Sequence, residues 1–155
     1  METLPSTKAN SPAEMSDAIL VSFDAHWETV LANEPLRAFI RKRLPQNLHP
    51  RFVYAYCGAP LSRISVKAEV KSFGEIPLKE AIAKSVQLKL SKTEILNYCA
   101  ERDSIGICYI GRIFKAKQPL DLQVLRSVMV FHPPQSFLIL STSAKATIDK
   151  LASFQ

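Results

Sequence analysis

The stretch Arg63-Ile64-Ser65-Val66-Lys67-Ala68-Glu69-Val70-Lys71 alternates apolar and polar residues along its whole length. A period of two predicts a β-strand with Ile64, Val66, Ala68 and Val70 turned inward and Arg63, Ser65, Lys67, Glu69 and Lys71 turned to water. Just upstream, Arg51 to Cys57 carries the aromatic, β-favouring run Phe52-Val53-Tyr54-Ala55-Tyr56, and Cys57-Gly58-Ala59-Pro60 breaks it. Two neighbouring strands are therefore expected. The same region holds the charge. From Glu34 to Lys71 there are eight Lys or Arg against two Glu, a surplus of six, and the whole chain has 20 bases and 14 acids. The net charge of +6 thus comes entirely from this segment.

Working toward the N-terminus, Ala18 to Phe23 is a short apolar run of the length of a buried strand, and Asp24 offers an N-cap. Trp27, Val30 and Leu31 then recur at helical spacing to about Asn33. Pro35 is read as opening a second helical segment with Leu36, Phe39 and Ile40 on its core side and Arg37, Arg41 and Lys42 projecting away. Toward the C-terminus, Gly74 ends the alternating strand and Pro77 opens a helix to about Val86. Ser91-Lys92-Thr93-Glu94 is a capping box for a further helix. Ile105 to Lys117 is a long strand interrupted at Gly111, where a bulge is expected, and Pro119 stops it. A helical turn at Gln123 to Arg126, a strand from Phe137 to Ser141 and a helix from about Ala144 to Phe154 complete the order. The expectation is an α+β domain: about five to six strands in a small curled sheet with short helices around it.

At 155 residues the chain fits one domain, taken as residues 18–155 behind a disordered tail of residues 1–17. That tail is rich in Ser, Thr, Pro and Asn and lacks the apolar segment of a secretory signal, so a cytoplasmic protein is expected. No apolar run approaches the roughly 20 residues of a membrane span. Cys57, Cys99 and Cys108 have no C-x-x-C spacing, and His26, His49 and His132 stand far apart, so neither a metal nor a cofactor is expected. Phosphate-cradling glycine loops and the serine elbow of hydrolases are absent.

What the sequence offers instead is bases beside aromatics, the pattern of nucleic-acid binding. Arg41, Lys42 and Arg43 can clamp phosphates, with Arg37 and Arg63 from the same charge-rich segment, or form a solvated element end. Tyr54 and Tyr56 share one strand face, where a ring can stack on a base or simply fill a core. Gln135 and Ser136, held by Pro133 and Pro134, offer hydrogen bonds to a base edge or a phosphate. His132 beside them is a candidate acid or base near neutral pH.

Taken in order, Val21-Ser22-Phe23 closing a strand, a helix, the basic run Arg41-Lys42-Arg43-Leu44-Pro45, Val53-Tyr54-Ala55-Tyr56, Pro60 and the late Pro133-Pro134-Gln135-Ser136 resemble the ASCH domain of the PUA-like superfamily. The resemblance spans roughly Ile19 to Leu140 and implies a PUA-like small β-barrel with a cleft for RNA or a nucleobase. The family signature Gly-x-Lys-x-x-Glu-x-Arg falls on Asn33 to Arg41, where Arg41 is kept, Asn33 replaces the Gly, and Phe39 or Ile40 fills the Glu position. Two functions follow as expectations. One is binding of single-stranded RNA through the basic segment and a Tyr/Ser-lined cleft. The other is a metal-independent ribonuclease using Tyr54, Lys67, Ser136 and His132; an amidohydrolase of a modified nucleoside ranks behind it because the Lys and Glu of the signature are lost. The first two require Arg41, Tyr54 and Ser136 to converge on one cleft.

Overall fold

A computed structural model describes residues 15–33, 36–45 and 48–155. Six strands form one sheet: β1 (Met15–Phe23), β2 (Ala38–Arg41), β3 (Phe52–Cys57), β4 (Arg63–Pro77), β5 (Ser104–Asp121) and β6 (Phe137–Ser141). Their order is β2-β5-β4-β3-β1-β6. Only β1 and β3 run parallel; every other pair is antiparallel. The helices are α1 (Trp27–Asn33), α2 (Leu78–Ala83), α3 (Ser85–Leu88), α4 (Lys92–Cys99), α5 (Leu122–Val128) and α6 (Thr142–Ala152). Among the described residues, none is long and apolar enough to cross a membrane.

The α+β class holds, but the sheet is not a closed barrel, because β2 and β6 remain its two edges. It is nevertheless curled. Phe23 of β1 meets Phe39 of β2 edge to face at 5.2 Å, and the Arg41 guanidinium on β2 donates to the Ser22 carbonyl on β1 at 2.9 Å, although three strands separate β1 from β2 in the sheet. The curl encloses a core of Val21, Phe23, Phe39, Val53, Val66 and Ile110 with Leu31 of α1. On the other face α5 and α6 cover Leu20, Tyr54, Tyr56 and Ile64. Beyond β2, α2 to α4 pack Ala81, Leu88 and Ile95 on Ile40, Ile105 and Ile107.

Several boundaries differ from expectation. Residues 15–17 belong to β1 rather than to a tail: Ser16 donates to the Leu140 carbonyl at 2.7 Å and Arg51 N–H to the Asp17 carbonyl at 2.7 Å. The rest of the expected tail, residues 1–14, lies outside the described residues. The expected helix around Leu36 to Ile40 is instead the edge strand β2, paired with β5 from Ala38↔Tyr109 to Arg41↔Gly106. Its residues Ala38, Phe39 and Ile40 are all buried, because one face meets the main core and the other meets the helices, and such two-sided burial has no period to read. In β4 a register shift between Ile64 and Val66 sends Ile64 to the opposite core from Val66 and Ala68. The strand also runs past Gly74 to Pro77, and β5 runs through Pro119 to Asp121.

The face of β4 expected to be wet is covered at Lys67, while Glu69 and Lys71 stay exposed. Tyr54 and Lys67 are direct cross-strand partners, and α6 lays Asp149 against both. Tyr54 Oη donates to Asp149 Oδ1 at 2.5 Å, Lys67 Nζ to the same oxygen at 3.1 Å, and Lys145 Nζ to Oδ2 at 3.1 Å. Lys67 also lies over the rings of Phe52 at 4.4 Å and Phe154 at 5.5 Å, so the ammonium is solvated by π-faces as well as by the carboxylate. Burial pushes the Asp149 carboxyl up, but the bonds from Tyr54, Lys67 and Lys145 outweigh it and hold the group below its ordinary range. Burial, and then the bond to Asp149, drive the Tyr54 phenol far up, so it stays protonated. Across the sheet, Arg63 grips Glu28 of α1 through two bonds at 2.8 and 2.7 Å, and Ser65 adds a third at 2.6 Å.

Tyr54→Phe should therefore cost about 2 kcal/mol in urea unfolding at neutral pH, since it removes a hydrogen bond to a charged acceptor. The folded Asp149 titrates below its unfolded value, so as pH falls the unfolded chain takes the proton first. The difference between Tyr54→Phe and wild type should accordingly be full above about pH 4 and shrink below it. Gly106→Ala should destabilise by about 1–3 kcal/mol in the same assay, because a Cβ there would stand 2.8 Å from the Arg41 carbonyl and force β2 off β5.

Candidate nucleic-acid interface

Where the curl brings β1, β2 and the helices α3 and α4 together, a cavity of about 370 Å³ opens. Its wall carries Phe23, Trp27, Phe39 and Tyr98 as aromatic surface, Asp24 and Glu94 as acids, and Arg41 and Gln135 as donors. That volume lies in the range of about 300–1,000 Å³ common to small-ligand sites, and the mix of apolar wall with a few polar groups is the usual make-up. Arg41 is its most constrained member. One guanidinium nitrogen donates to the Ile40 carbonyl at 2.7 Å and the other to the Ser22 carbonyl at 2.9 Å, while the plane sits 4.5 Å over Phe23 and 5.1 Å from Phe39. Burial lowers its pKa, with Tyr98 and Asp24 pulling the other way. The guanidinium nevertheless remains charged. Glu94 is partly committed, since Oε1 accepts the Ser91 N–H of the capping box at 2.8 Å.

Beside this cavity is a second hollow of about 610 Å³ lined by Lys42, Arg43, His49, Phe73 and Phe137. Two chain segments run from one to the other. Arg41 faces the first and the next two residues face the second; Gln135 faces the first and Phe137 the second, with half-buried Ser136 between them. Lys42 and Arg43 are exposed, and Lys42 is steadied by Tyr98, whose hydroxyl accepts its backbone N–H at 3.1 Å and whose ring lies 5.2 Å from its ammonium. The Pro133-Pro134 segment is fastened by Ser22, which donates to the Pro134 carbonyl at 2.7 Å. His49 and Phe73 lie tilted at 6.0 Å.

The expected site residues are thus divided. Arg41, Lys42, Arg43 and Gln135 line these two hollows, and Ser136 falls in the chain between Gln135 and Phe137 without lining either. Tyr54 and Lys67 do not, since they occupy the opposite face of the sheet with Asp149. Tyr56 is 3% exposed and packs on Phe131 at 5.6 Å. Arg63 is held by Glu28, His132 is exposed on the loop before β6, and exposed Arg37 borders a separate hollow beside β5. The convergence of Arg41, Tyr54 and Ser136 on one cleft does not occur, because β3 alternates and points Tyr54 away from the core on which Arg41 lies. Sequence reasoning did not single out Trp27, Asp24 or Tyr98 as cavity residues, nor Asp149 at all. Asp149 stands 95 residues from Tyr54 and 82 from Lys67, and no local pattern marks it.

The three thiols offer no nucleophile. Burial pushes Cys57 and Cys108 up to about 12 and raises Cys99 as well. Among the described residues, no three His, Cys, Asp or Glu side chains cluster as metal ligands would.

No family model matches the sequence, and no curated protein matches it. Its structure, by contrast, is similar to solved ones. The ASCH protein of Zymomonas mobilis superposes with a TM-score of 0.78 at 14% identity, over 87% of this chain and 95% of that one. A serine-to-alanine mutant of the same protein gives 0.80 at 14% identity, over 87% and 96%. The N-terminal domain of McrB from Staphylothermus marinus gives 0.59 at 10% identity, over 91% and 97%. At these identities the likeness is one of architecture, and it establishes that residues of little sequence similarity build the fold of the ASCH domain here.

Proposed function

We propose that this protein binds single-stranded RNA, taking one unpaired nucleobase into the Arg41 cavity while Lys42 and Arg43 hold the adjoining backbone. The observation that carries the reading is the placement of Arg41: a guanidinium pinned by two backbone carbonyls and two rings at the wall of a base-sized, aromatic-lined cavity. Asp24 and Glu94 supply acceptors, Arg41 and Gln135 donors, so the wall can match both kinds of group on a base edge. The aromatic surface is suited to a base lifted out of its stack, which a paired strand does not present. Lys42 and Arg43, exposed at the neighbouring hollow, are where the flanking phosphates would pass, with Ser136 between.

The ribonuclease reading has weaker support. Tyr54 is held protonated, its hydroxyl and the Lys67 ammonium are both engaged by Asp149, and neither bonds to Ser136 or His132. The amidohydrolase reading is left with Arg41 from the signature and with carboxylates that the signature does not supply. A cytoplasmic location is consistent with an RNA partner.

Fluorescence anisotropy with a labelled single-stranded RNA should show saturable binding that weakens steeply with salt. Lys42→Gln together with Arg43→Gln should lower the log–log salt slope by about 1.4, at about 0.7 per phosphate contact on a single strand. Arg41→Gln, checked for folding by circular dichroism, should reduce affinity at least tenfold, and a duplex of the same sequence should compete poorly. Full affinity in all these variants would sink the reading. RNA incubated with the protein in EDTA is expected to be recovered intact; cleavage abolished by Tyr54→Phe or Ser136→Ala would replace binding with catalysis.

A further inference from the structure

A third hollow, of about 500 Å³, lies on the far side of Leu36 from the Arg41 cavity, and Leu36 lines both. It gathers Arg37, Lys71 and Arg112 around Tyr109 and Gly111. The three cations come from three strands or strand ends and are all exposed. Two of them sit at irregularities of the β4–β5 ladder. Between Ala68↔Ile113 and Val70↔Ile110, β5 spends Gly111 and Arg112 opposite Glu69 alone; between Val70↔Ile110 and Ser72↔Tyr109, β4 spends Lys71 with no counterpart. These are successive bulges on opposite strands, and a bulge turns a side chain out of the regular alternation. Both turned residues are basic, and they border the same hollow. The Lys71 side chain crosses the bare face of Gly111, where a Cβ would lie 3.5 Å from its Cγ and Cε. Glu69 is the one carboxylate at the bulge, and its Oε1 accepts the Arg112 backbone N–H at 3.3 Å. Arg37 is fixed from behind, since its carbonyl accepts the Ile110 N–H at 3.0 Å.

The hollow holds these three charges along one wall. Gathering them raises their mutual repulsion, which an anion in the hollow relieves. We infer that the Arg37–Lys71–Arg112 hollow is a second phosphate-binding site, which takes the RNA backbone on the side of the bound nucleotide opposite to Lys42 and Arg43. The inference rests on the proposed RNA reading and extends it: the strand crosses the protein with one base lodged in the Arg41 cavity and phosphates gripped at both flanks. Leu36, buried beneath, is a lining residue that the base cavity and the second phosphate site share.

The test uses the full chain and a labelled single-stranded RNA of about eight nucleotides, with a nucleoside monophosphate as the short probe. Trp27, the sole tryptophan and a wall of the cavity, reports occupancy by fluorescence. In the triple variant R37Q/K71Q/R112Q, the log–log salt slope for RNA should fall by about 2, and affinity at low salt by at least tenfold. Binding of the monophosphate should stay within twofold of wild type. A triple variant that keeps the wild-type slope, while Lys42→Gln with Arg43→Gln loses its share, overturns this inference and leaves the base-binding reading standing. Equal loss of monophosphate and RNA binding in the triple variant also overturns it, since the cations would then be supporting the cavity. A wild-type protein that binds no RNA at low salt overturns both.

Discussion

The antiparallel pairing of β4 with β5 is the constraint on which the rest of the molecule depends. These are the longest strands, 15 and 18 residues, and both flanks of the sheet are built on them: β2 hangs on β5, while β3, β1 and β6 follow from β4. A pair of that length cannot stay flat. The register shifts after Ile64, Ala68 and Val70 each add local twist, and together they curl the sheet until β2 faces β1 across a shared core. The cavity at Arg41 is a consequence of that curl. Its walls come from strands that are not neighbours in the sheet, and it exists because the curl stops short of closure.

Arg41 shows how an incomplete closure is stabilised. A closed barrel would join its edges with a ladder of backbone hydrogen bonds. Here β2 meets β1 through one guanidinium bonded to the Ser22 carbonyl and sandwiched near Phe23 and Phe39. A cation in that role is costly to bury, and the cost is offset by carbonyl acceptors, by two ring faces and by Asp24 nearby. The arrangement leaves the neighbouring space unfilled. Arg41 thus fastens two strands and lines an open space at once, and the open cavity is what distinguishes this junction from packed core.

The sequence makes strands legible where one face is buried and the other wet, as in β4, where aromatic and β-branched residues cluster, as in β3, and where a short apolar run has the length of a buried strand, as in β1. Caps were equally legible: Ser91 with Glu94 forms the expected box, and α4 begins at the expected place. What misled was burial on two sides. Leu36, Phe39 and Ile40 fall at helical spacing by coincidence, and only the intervening buried Ala38 marks a strand between two cores. The wet face assigned to Lys67 failed for a different reason. A lysine in an alternating strand is normally solvated, but Asp149 and four aromatic rings, contributed by β3, β5, α6 and the C-terminal residues, replace the water. None of those partners is local in sequence. The Arg41 cavity is half legible, through Arg41 and Gln135, and its aromatic wall is not, because Trp27 falls at the helical spacing of a core residue and no local pattern marks Tyr98.

The basic segment from Glu34 to Lys71, which looks like a single charged surface along the chain, is separated by the fold into groups with different work. Arg63 and Lys67 are spent on carboxylates, one clamping α1 to the sheet through Glu28 and the other clamping α6 through Asp149. Arg41 joins two strands. Lys42 and Arg43 keep their exposure on one side of the cavity, and Arg37 and Lys71 on the other, where Arg112 from outside the segment joins them. The surplus therefore overstates the charge available to a partner, because part of it is neutralised internally by acids that sequence distance had concealed. What remains is smaller and better placed: two cationic groups flank one aromatic cavity, a distribution that suits a strand passing over the surface more than a single compact anion.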